Sequence, residues 1–345
     1  MKKVTPISKR KADQIRINLE EDVRSGIDNG LGGFRFIHEA LPEINLSEVN
    51  PSVQLYGKHL SAPILISSMT GGTPEAETLN INLALGAQEC RIAMGVGSQR
   101  AALETPDLSG TFDIRKIAPD IILFANLGAI QLNNGMDYDA CQRAIDMIHA
   151  DGLLLHLNPL QEALQTGGNT NFKGLAEKIE RICQKISVPV IVKEVGWGIS
   201  ENTTKMLYEC GVSAIDVAGA GGTSWSQVEM YSAPDEFSRQ LAAVFKDWGI
   251  STAKSIINVK KIAPEMPIFA SGGIKNGVEM AKCFALGATL AGSAGIFLSE
   301  AAISPERVVN IINLLRQQIK TTMFVTGSRD ISELSKKLIS VEQRK

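Results

Sequence analysis

The segment Leu155-His156-Leu157-Asn158-Pro159-Leu160-Gln161-Glu162 concentrates more chemistry than any other part of the chain. It begins as an apolar run, Gly152-Leu153-Leu154-Leu155, and ends in polar side chains. On a strand, His156 and Asn158 lie two apart and share a face. Pro159 stops the strand ladder. Gln161 and Glu162 follow on the loop, where an amide and a carboxylate could meet a phosphate or a divalent cation. Glu162 suits Mg²⁺, which takes one or two carboxylates plus phosphate oxygens. The plainer reading is a carboxylate favoured by a helix N-terminus.

Other polar groups recur where apolar runs end. They are Ser67-Ser68-Met69-Thr70-Gly71-Gly72, Gly97-Ser98-Gln99-Arg100, Asn126, Lys193-Glu194, Gly219 to Trp225, Ser271-Gly272-Gly273-Ile274-Lys275 and Gly292-Ser293-Ala294-Gly295. One such end means little, because turns favour these residues. Together they predict a single functional rim. The last two loops have the glycines that let backbone N–H groups approach a phosphate. Neither is a G-x-x-x-x-G-K-[ST] loop, so ATP is not indicated. Lys193 is the only cation ending a core strand. It could form a Schiff base, face a flavin edge, or pair with a neighbouring carboxylate. Arg10, Lys11 and Arg100 could neutralise a diphosphate, although a solvated basic face is the default for the N-terminal pair. Trp225 could wall a pocket or pack in the core, and Met69 reads first as core.

The elements that must position these residues alternate. Strands are predicted at Pro63 to Ser67, Ile92 to Val96, Ile121 to Ala125, Gly152 to Leu157, Val188 to Val192, Ala214 to Val217, Pro267 to Ala270 and Ala288 to Ala291. Helices are predicted at Ala76 to Cys90, Tyr138 to His149, Phe172 to Ile186, Glu201 to Cys210, Thr252 to Ile262 and Gly277 to Leu286. Val188 to Val192 is apolar on both faces, as a covered parallel strand should be. Eight such units predict an α/β fold, a (β/α)₈ TIM barrel with an N-terminal extension. An open doubly wound sheet is the structural alternative. The expected division is an arm over 1–62 that contributes to the substrate site, a barrel over 63–325 and a polar tail over 326–345. The arm contains a Gly-rich turn, Gly30-Leu31-Gly32-Gly33, and a short strand candidate, Ser52 to Leu55. The tail reads as a surface helix or a frayed end. The long connection Gly219 to Trp248 could be a lid.

Composition narrows the function. The 345 residues are 44% hydrophobic and 21% charged with a net charge of -2, so nucleic acid and membrane surfaces are not expected partners. The apolar runs are too short to span a bilayer, and the basic N-terminus lacks a secretory h-region. Five cysteines without a C-x-x-C pair read as reduced thiols, with a cytoplasmic location expected. Only four histidines occur (His38, His59, His149 and His156), and there is neither an H-E-x-x-H nor a G-x-S-x-G motif. If the protein is an enzyme, much of its reactivity must come from something other than side chains, such as a cofactor.

At these residues the chain closely resembles the type 2 isopentenyl-diphosphate isomerases. The resemblance runs from about Arg10 to Phe324. It is carried by Arg10-Lys11 with Gln14-Ile15, Ser67 to Gly72, Gly97-Ser98-Gln99-Arg100, His156 to Glu162, Lys193-Glu194-Val195-Gly196-Trp197-Gly198, Gly221-Gly222-Thr223-Ser224-Trp225, Asp247-Trp248-Gly249-Ile250 and Ser271-Gly272-Gly273-Ile274. The resemblance implies an FMN-binding barrel that interconverts isopentenyl and dimethylallyl diphosphate. It further implies Mg²⁺, and reduction of the flavin, typically by NADPH, without net redox change. Carried across by position, Ser68, Met69, Thr70, Ser98, Asn126, Lys193 and Thr223 would hold FMN. Gly273, Lys275, Ala294 and Gly295 would surround its phosphate. Arg10, Lys11, Arg100, His156, Asn158 and Gln161 would bind the substrate diphosphate, and Glu162 the metal. The family commonly has a His in place of Gln14 and a Ser in place of Ala218. Family members are homo-oligomers, commonly tetramers or octamers. No side chain in this set is an obvious strong acid, which assigns proton transfer to reduced FMN. The rivals are a flavin-dependent 2-hydroxy-acid oxidase, which needs a His base late in the barrel where none follows His156, and a non-catalytic FMN-binding or phosphate-binding protein.

Overall fold

The structure, a computed structural model, describes residues 6–341. Eight parallel strands close into a barrel: β1 Ile64–Ile66, β2 Ala93–Gly95, β3 Leu123–Gly128, β4 Gly152–Leu157, β5 Val190–Glu194, β6 Ala214–Asp216, β7 Ile268–Ala270 and β8 Leu290–Ser293. Each pairs with its neighbours in chain order, and β8 closes on β1 through Gly292↔Leu65. The open sheet is thereby excluded. All eight strands overlap the segments expected from apolar patterning. Closure leaves the barrel itself without an edge strand.

Helix boundaries follow local chemistry. Thr73 caps the helix Pro74–Cys90 by accepting from the Ala76 N–H, and Pro74 opens it, so it starts two residues before the apolar pattern does. Ser200, Ser251 and Asn276 cap Glu201–Glu209, Thr252–Ile262 and Gly277–Ala285 in the same way. Thr73, Ser200 and Asn276 lie six or seven residues past strand ends, whereas Ser251 follows the long connection after β6.

The core is divided by strand alternation. Ile64, Ile66, Leu153, Leu155, Val190 and Val192 pack outward against the helices. Leu65, Ala93, Phe124, Leu154, Ile191, Ala214, Phe269 and Leu290 fill the barrel interior. The amino-terminal end of that interior is plugged by the hairpin Val53–Leu55 and Lys58–Leu60, whose Leu55 and Leu60 join the same cluster. Lys58 pairs with Asp151 at 2.7 Å, as does Arg115, which locks this end of the barrel.

Three segments depart from the pattern read in the sequence. Pro6–Glu20 is a helix, where only a basic face was legible. The connection after β6 contains two helices, Trp225–Tyr231 and Glu236–Ala243. The polar C-terminal stretch is neither a surface α-helix nor a loose end. Ile331–Lys337 forms 3₁₀ turns, and Leu338–Ser340 pairs antiparallel with Phe34–Phe36. Residues 1–5 and 342–345 of the expected arm and tail lie outside the described residues.

Candidate active site

One register step above the apolar layer, the inward positions become polar or small. Counting two residues on from each interior side chain gives Ser67, Gly95, Asn126, His156, Lys193, Asp216, Ser271 and Gly292. The register agrees: His156 pairs with Lys193 and Lys193 with Asp216, on adjacent strands. This ring is the floor of the carboxyl-side mouth, the usual place for chemistry in this architecture.

His156 Nδ1 lies 2.9 Å from Asn126 Oδ1. The Asn126 amide is oriented by its Nδ2, which donates to the Val96 carbonyl at 3.1 Å. Oδ1 therefore faces the imidazole, Nδ1 carries the proton, and Nε2 is the free nitrogen of a neutral ring. Burial, with Lys193 and Lys11 nearby, pushes the ring down to about 4. His156 keeps some surface toward the mouth, yet protein surrounds it on every other side.

Lys193 is buried and donates to the carbonyl of Glu194 at 2.6 Å. Glu194 does not pair with it. Its carboxylate turns away and accepts the N–H groups of Val195, Gly196 and Trp197 at 2.5 to 2.7 Å. Among the described residues Lys193 makes no ion-pair contact, and the adjacent Glu194 is not its partner.

Above the floor, the loop after β4 starts the short helix Pro159–Leu164. Asn158 Nδ2 donates to Gln161 Oε1 and Glu162 Oε1, both at 3.1 Å. Gln161 Nε2 donates to Glu229 Oε1 at 2.9 Å, and Asn169 N–H donates to Glu162 Oε2 at 2.6 Å. All four side chains of this network are buried, and Asn158 Oδ1 has no donor among the described residues. Burial pushes the Glu229 carboxyl up, against the hydrogen bond from Gln161.

The N-terminal helix closes over this network. Arg10 Nη1 donates to Gln165 Oε1 at 3.0 Å, and Lys11 Nζ donates to the Ser98 carbonyl at 2.7 Å while lying 5.3 Å from the Phe112 ring centre. Burial, and then Arg10, bring Lys11 down to about 7. Arg100, by contrast, is held by Glu104 at 2.7 Å. The helical connection docks on the arm: Ser25 N–H donates to Gly222 O and Ser224 N–H to Val23 O, each at 2.8 Å. Trp225 packs with Ile17, Val23 and Val228 rather than standing alone as a pocket wall.

On the opposite side of the mouth the glycines form a cradle. A Cβ on Gly273, which has φ +67°, would lie 2.2 Å from the backbone of Gly221, whereas one on Gly295 would meet nothing within 4 Å. The first glycine is required by packing, and the second fronts open space. Lys275 is exposed, with its N–H bound to Glu279, and Ala294 precedes the short helix Gly295–Ala301. Ser67 Oγ and Ser68 Oγ are buried without partners among the described residues. Met69 packs partly against the core, Thr70 is buried, and Thr223 Oγ1 reaches Asn18 at 3.4 Å. Asn18 Nδ2 donates to the Gln14 carbonyl at 2.9 Å, and Ala218 sits at φ +33° with its N–H 3.3 Å from Asp216.

The structure thus brings Arg10, Lys11, Ser98, Asn126, His156, Asn158, Gln161, Glu162 and Lys193 to one end of the barrel. The sequence reading missed Glu229, Gln165 and Asp216, and placed Ser271 on the rim without a role. Asp216 was within reach of the two-residue alternation that placed His156. Glu229 and Gln165 arrive by docking of distant segments and leave no local signal.

The closed (β/α)₈ barrel, with a glycine cradle and a buried lysine at its mouth, places the chain among barrel proteins whose site lies at the carboxyl ends of the strands. Consistent with that, the FMN-dependent dehydrogenase family matches residues 147–341. Solved structures with the same fold include a flavocytochrome b2 variant with sulfite bound (TM-score 0.69, 18% identity, 96% of this chain and 84% of that one). A mandelate oxidase is similar (TM-score 0.67, 15% identity, 96% of each chain). Curated relatives are far closer in sequence. The isopentenyl-diphosphate delta-isomerase of Nostoc sp. is 51% identical over 94% of this chain and 93% of its own. That of Synechocystis sp. is 50% identical over 94% of each, and that of Rickettsia bellii 47% over 95% and 96%. The chain belongs to the isopentenyl-diphosphate delta-isomerases, in their FMN-dependent type 2 form.

Proposed function

We propose that this chain interconverts isopentenyl and dimethylallyl diphosphate by a 1,3-allylic proton rearrangement, with reduced FMN and Mg²⁺ at the barrel mouth and NADPH as the source of reducing equivalents. The reaction adds a proton at one carbon and removes one two carbons away, so no electrons are gained or lost overall. The observation that carries the reading is the seating of Arg10 and Lys11, which form no ion pair among the described residues, over the buried Asn158–Gln161–Glu162 network.

The residues present fit the groups the family implies. Ser67 and Ser68 offer unpartnered buried hydroxyls, and the Gly221/Gly273 cradle and open Gly295 leave backbone access for a phosphate. Ser68, Met69, Thr70, Ser98, Asn126, Lys193 and Thr223 would hold FMN, with Gly273, Lys275, Ala294 and Gly295 around its phosphate. Asn158 Oδ1 is an acceptor without a donor beside Glu162, which suits a hydrated Mg²⁺ held by Glu162. When bound, reduced FMN supplies a proton donor and acceptor over an electron-rich face.

The side chains do the rest. Arg10, Lys11, Arg100, His156, Asn158 and Gln161 would clamp the diphosphate and so fix the alkene in place. Arg100 would leave Glu104 for the substrate at small cost, since that pair is part-exposed. Lys11 would take up a proton as the anion arrives. His156 Nε2 donates to a diphosphate oxygen only after gaining a proton, and Asn126 keeps the ring turned for it. The docked arm and helical connection would exclude water.

The test is an anaerobic assay with isopentenyl diphosphate in which FMN, reductant or Mg²⁺ is omitted in turn. Dimethylallyl diphosphate should form only in the complete mixture. Oxidation of substrate, or ligand binding without product, would refute the reading.

A further inference from the structure

The mouth holds a buried carboxylate that none of the assigned roles uses. Asp216 ends β6 with no exposed surface and points into the barrel interior. Ser271 Oγ donates to its Oδ1 at 2.6 Å and the Ala218 N–H at 3.3 Å, while Oδ2 has no partner among the described residues. Its register partner is Lys193, the buried ammonium that lacks an ion pair, on a strand about 4.8 Å away. The nearer candidate for a counter-charge, Glu194, is committed to three N–H groups facing away.

A buried cation and a buried anion on neighbouring strands, each with unused hydrogen-bonding capacity, compensate one another. Ser271 holds the carboxylate from the other side, on β7, so the arrangement runs Lys193–Asp216–Ser271 across three consecutive strands. We propose that Asp216 is a positioning residue: an ionised counter-charge, braced by Ser271, that holds the Lys193 ammonium and limits the positive field it places on the flavin. Burial raises the Asp216 carboxyl, and Lys193 and the Ser271 hydroxyl lower it, which matches a carboxylate that depends on those two groups to stay charged.

The inference rests on the FMN reading of Lys193, and two measurements separate them. In the FMN-loaded protein, Asp216→Asn removes one negative charge and keeps the shape. The lysine field is then uncompensated and favours the anionic reduced flavin. The ratio of reduced to oxidised FMN affinity should rise about tenfold, a positive shift of about 30 mV for a two-electron couple. A potential within twofold of wild type in that ratio would overturn the proposal. The second measurement uses the full chain without added FMN. Melting temperatures are compared for Asp216→Asn, Lys193→Gln and the double variant. Each single change strands one buried partner, so the double variant should recover at least half of the summed loss. Additive losses would equally overturn it. If wild type binds no FMN, the functional reading fails, while the stability cycle still decides the pair.

Discussion

Lys11 is the side chain whose replacement tests the anion site most sharply, because its charge is costly until a diphosphate arrives. It stands beside Arg10, donates to the Ser98 carbonyl, and is brought from 10.5 to about 7 by burial first and Arg10 second. At about 1.4 kcal/mol per unit, the difference of 10.5 − 7 = 3.5 bounds the cost of the charged form near 5 kcal/mol. The side chain is part-exposed and lies on the Phe112 ring, so screening and the cation–π contact reduce this to about 2 kcal/mol. The folded state therefore binds its proton more weakly than the unfolded chain. Below pH 7 both states are charged and the penalty is fully present. Between pH 7 and 10.5 the unfolded chain holds more protons, so wild-type stability rises with pH. Lys11→Met should be more stable than wild type by about 2 kcal/mol at pH 6, with the gap closing as pH approaches 10. The same substitution should weaken pyrophosphate binding. At pH 8.5, calorimetry in two buffers of different ionisation enthalpy should find close to one more proton taken up by wild type than by the variant. A stability gap that does not shrink with pH, or equal proton uptake in the two proteins, would refute the argument.

Other outcomes follow from the same geometry. Gly273→Ala should unfold several degrees earlier and lose FMN, because its Cβ meets backbone at 2.2 Å in a left-handed conformation, while Gly295→Ala should keep its melting temperature and lose only FMN affinity. Glu162→Gln should cost more than about 100-fold in turnover at millimolar Mg²⁺ and leave FMN binding unchanged in a fluorescence titration. Arg115→Ala, at the other end of the barrel, should lower stability by about 1–2 kcal/mol, because Asp151 loses one of its two cations and keeps Lys58, with turnover per folded molecule intact. The pH profile of kcat/KM, which reports the free protein, should show no histidine step between pH 5 and 6, since His156 is already neutral there, and a histidine-like inflection in that range would contradict its lowering by burial.

The barrel was legible because strands covered on both faces read as short apolar runs, and because each of those runs ends in small or polar residues. The segment from His156 to Glu162 revealed the site, since one strand and one loop carry it whole. The alternation that put His156 inward also puts Asp216 and Ser271 inward, but Asp216 sits in the middle of Ala214-Ile215-Asp216-Val217 and reads as a break in an apolar strand. Glu229 and Gln165 meet the site through contacts 68 and 155 residues apart, with Gln161 and Arg10 respectively, which no local pattern encodes. The N-terminal helix was hidden by its polarity: it carries few apolar residues and is held by docking on Val228 and Trp225. The C-terminal strand was hidden for a similar reason, because its partner lies some three hundred residues earlier.

The central claim is that the mouth of this barrel moves protons on a diphosphate-bound alkene without consuming electrons. The direct measurement is the number of dimethylallyl diphosphate molecules formed per reduced FMN under anaerobic conditions, with the flavin spectrum followed throughout. The account predicts many turnovers per flavin and a spectrum that stays reduced. Stoichiometric flavin oxidation with one altered substrate per FMN would contradict it.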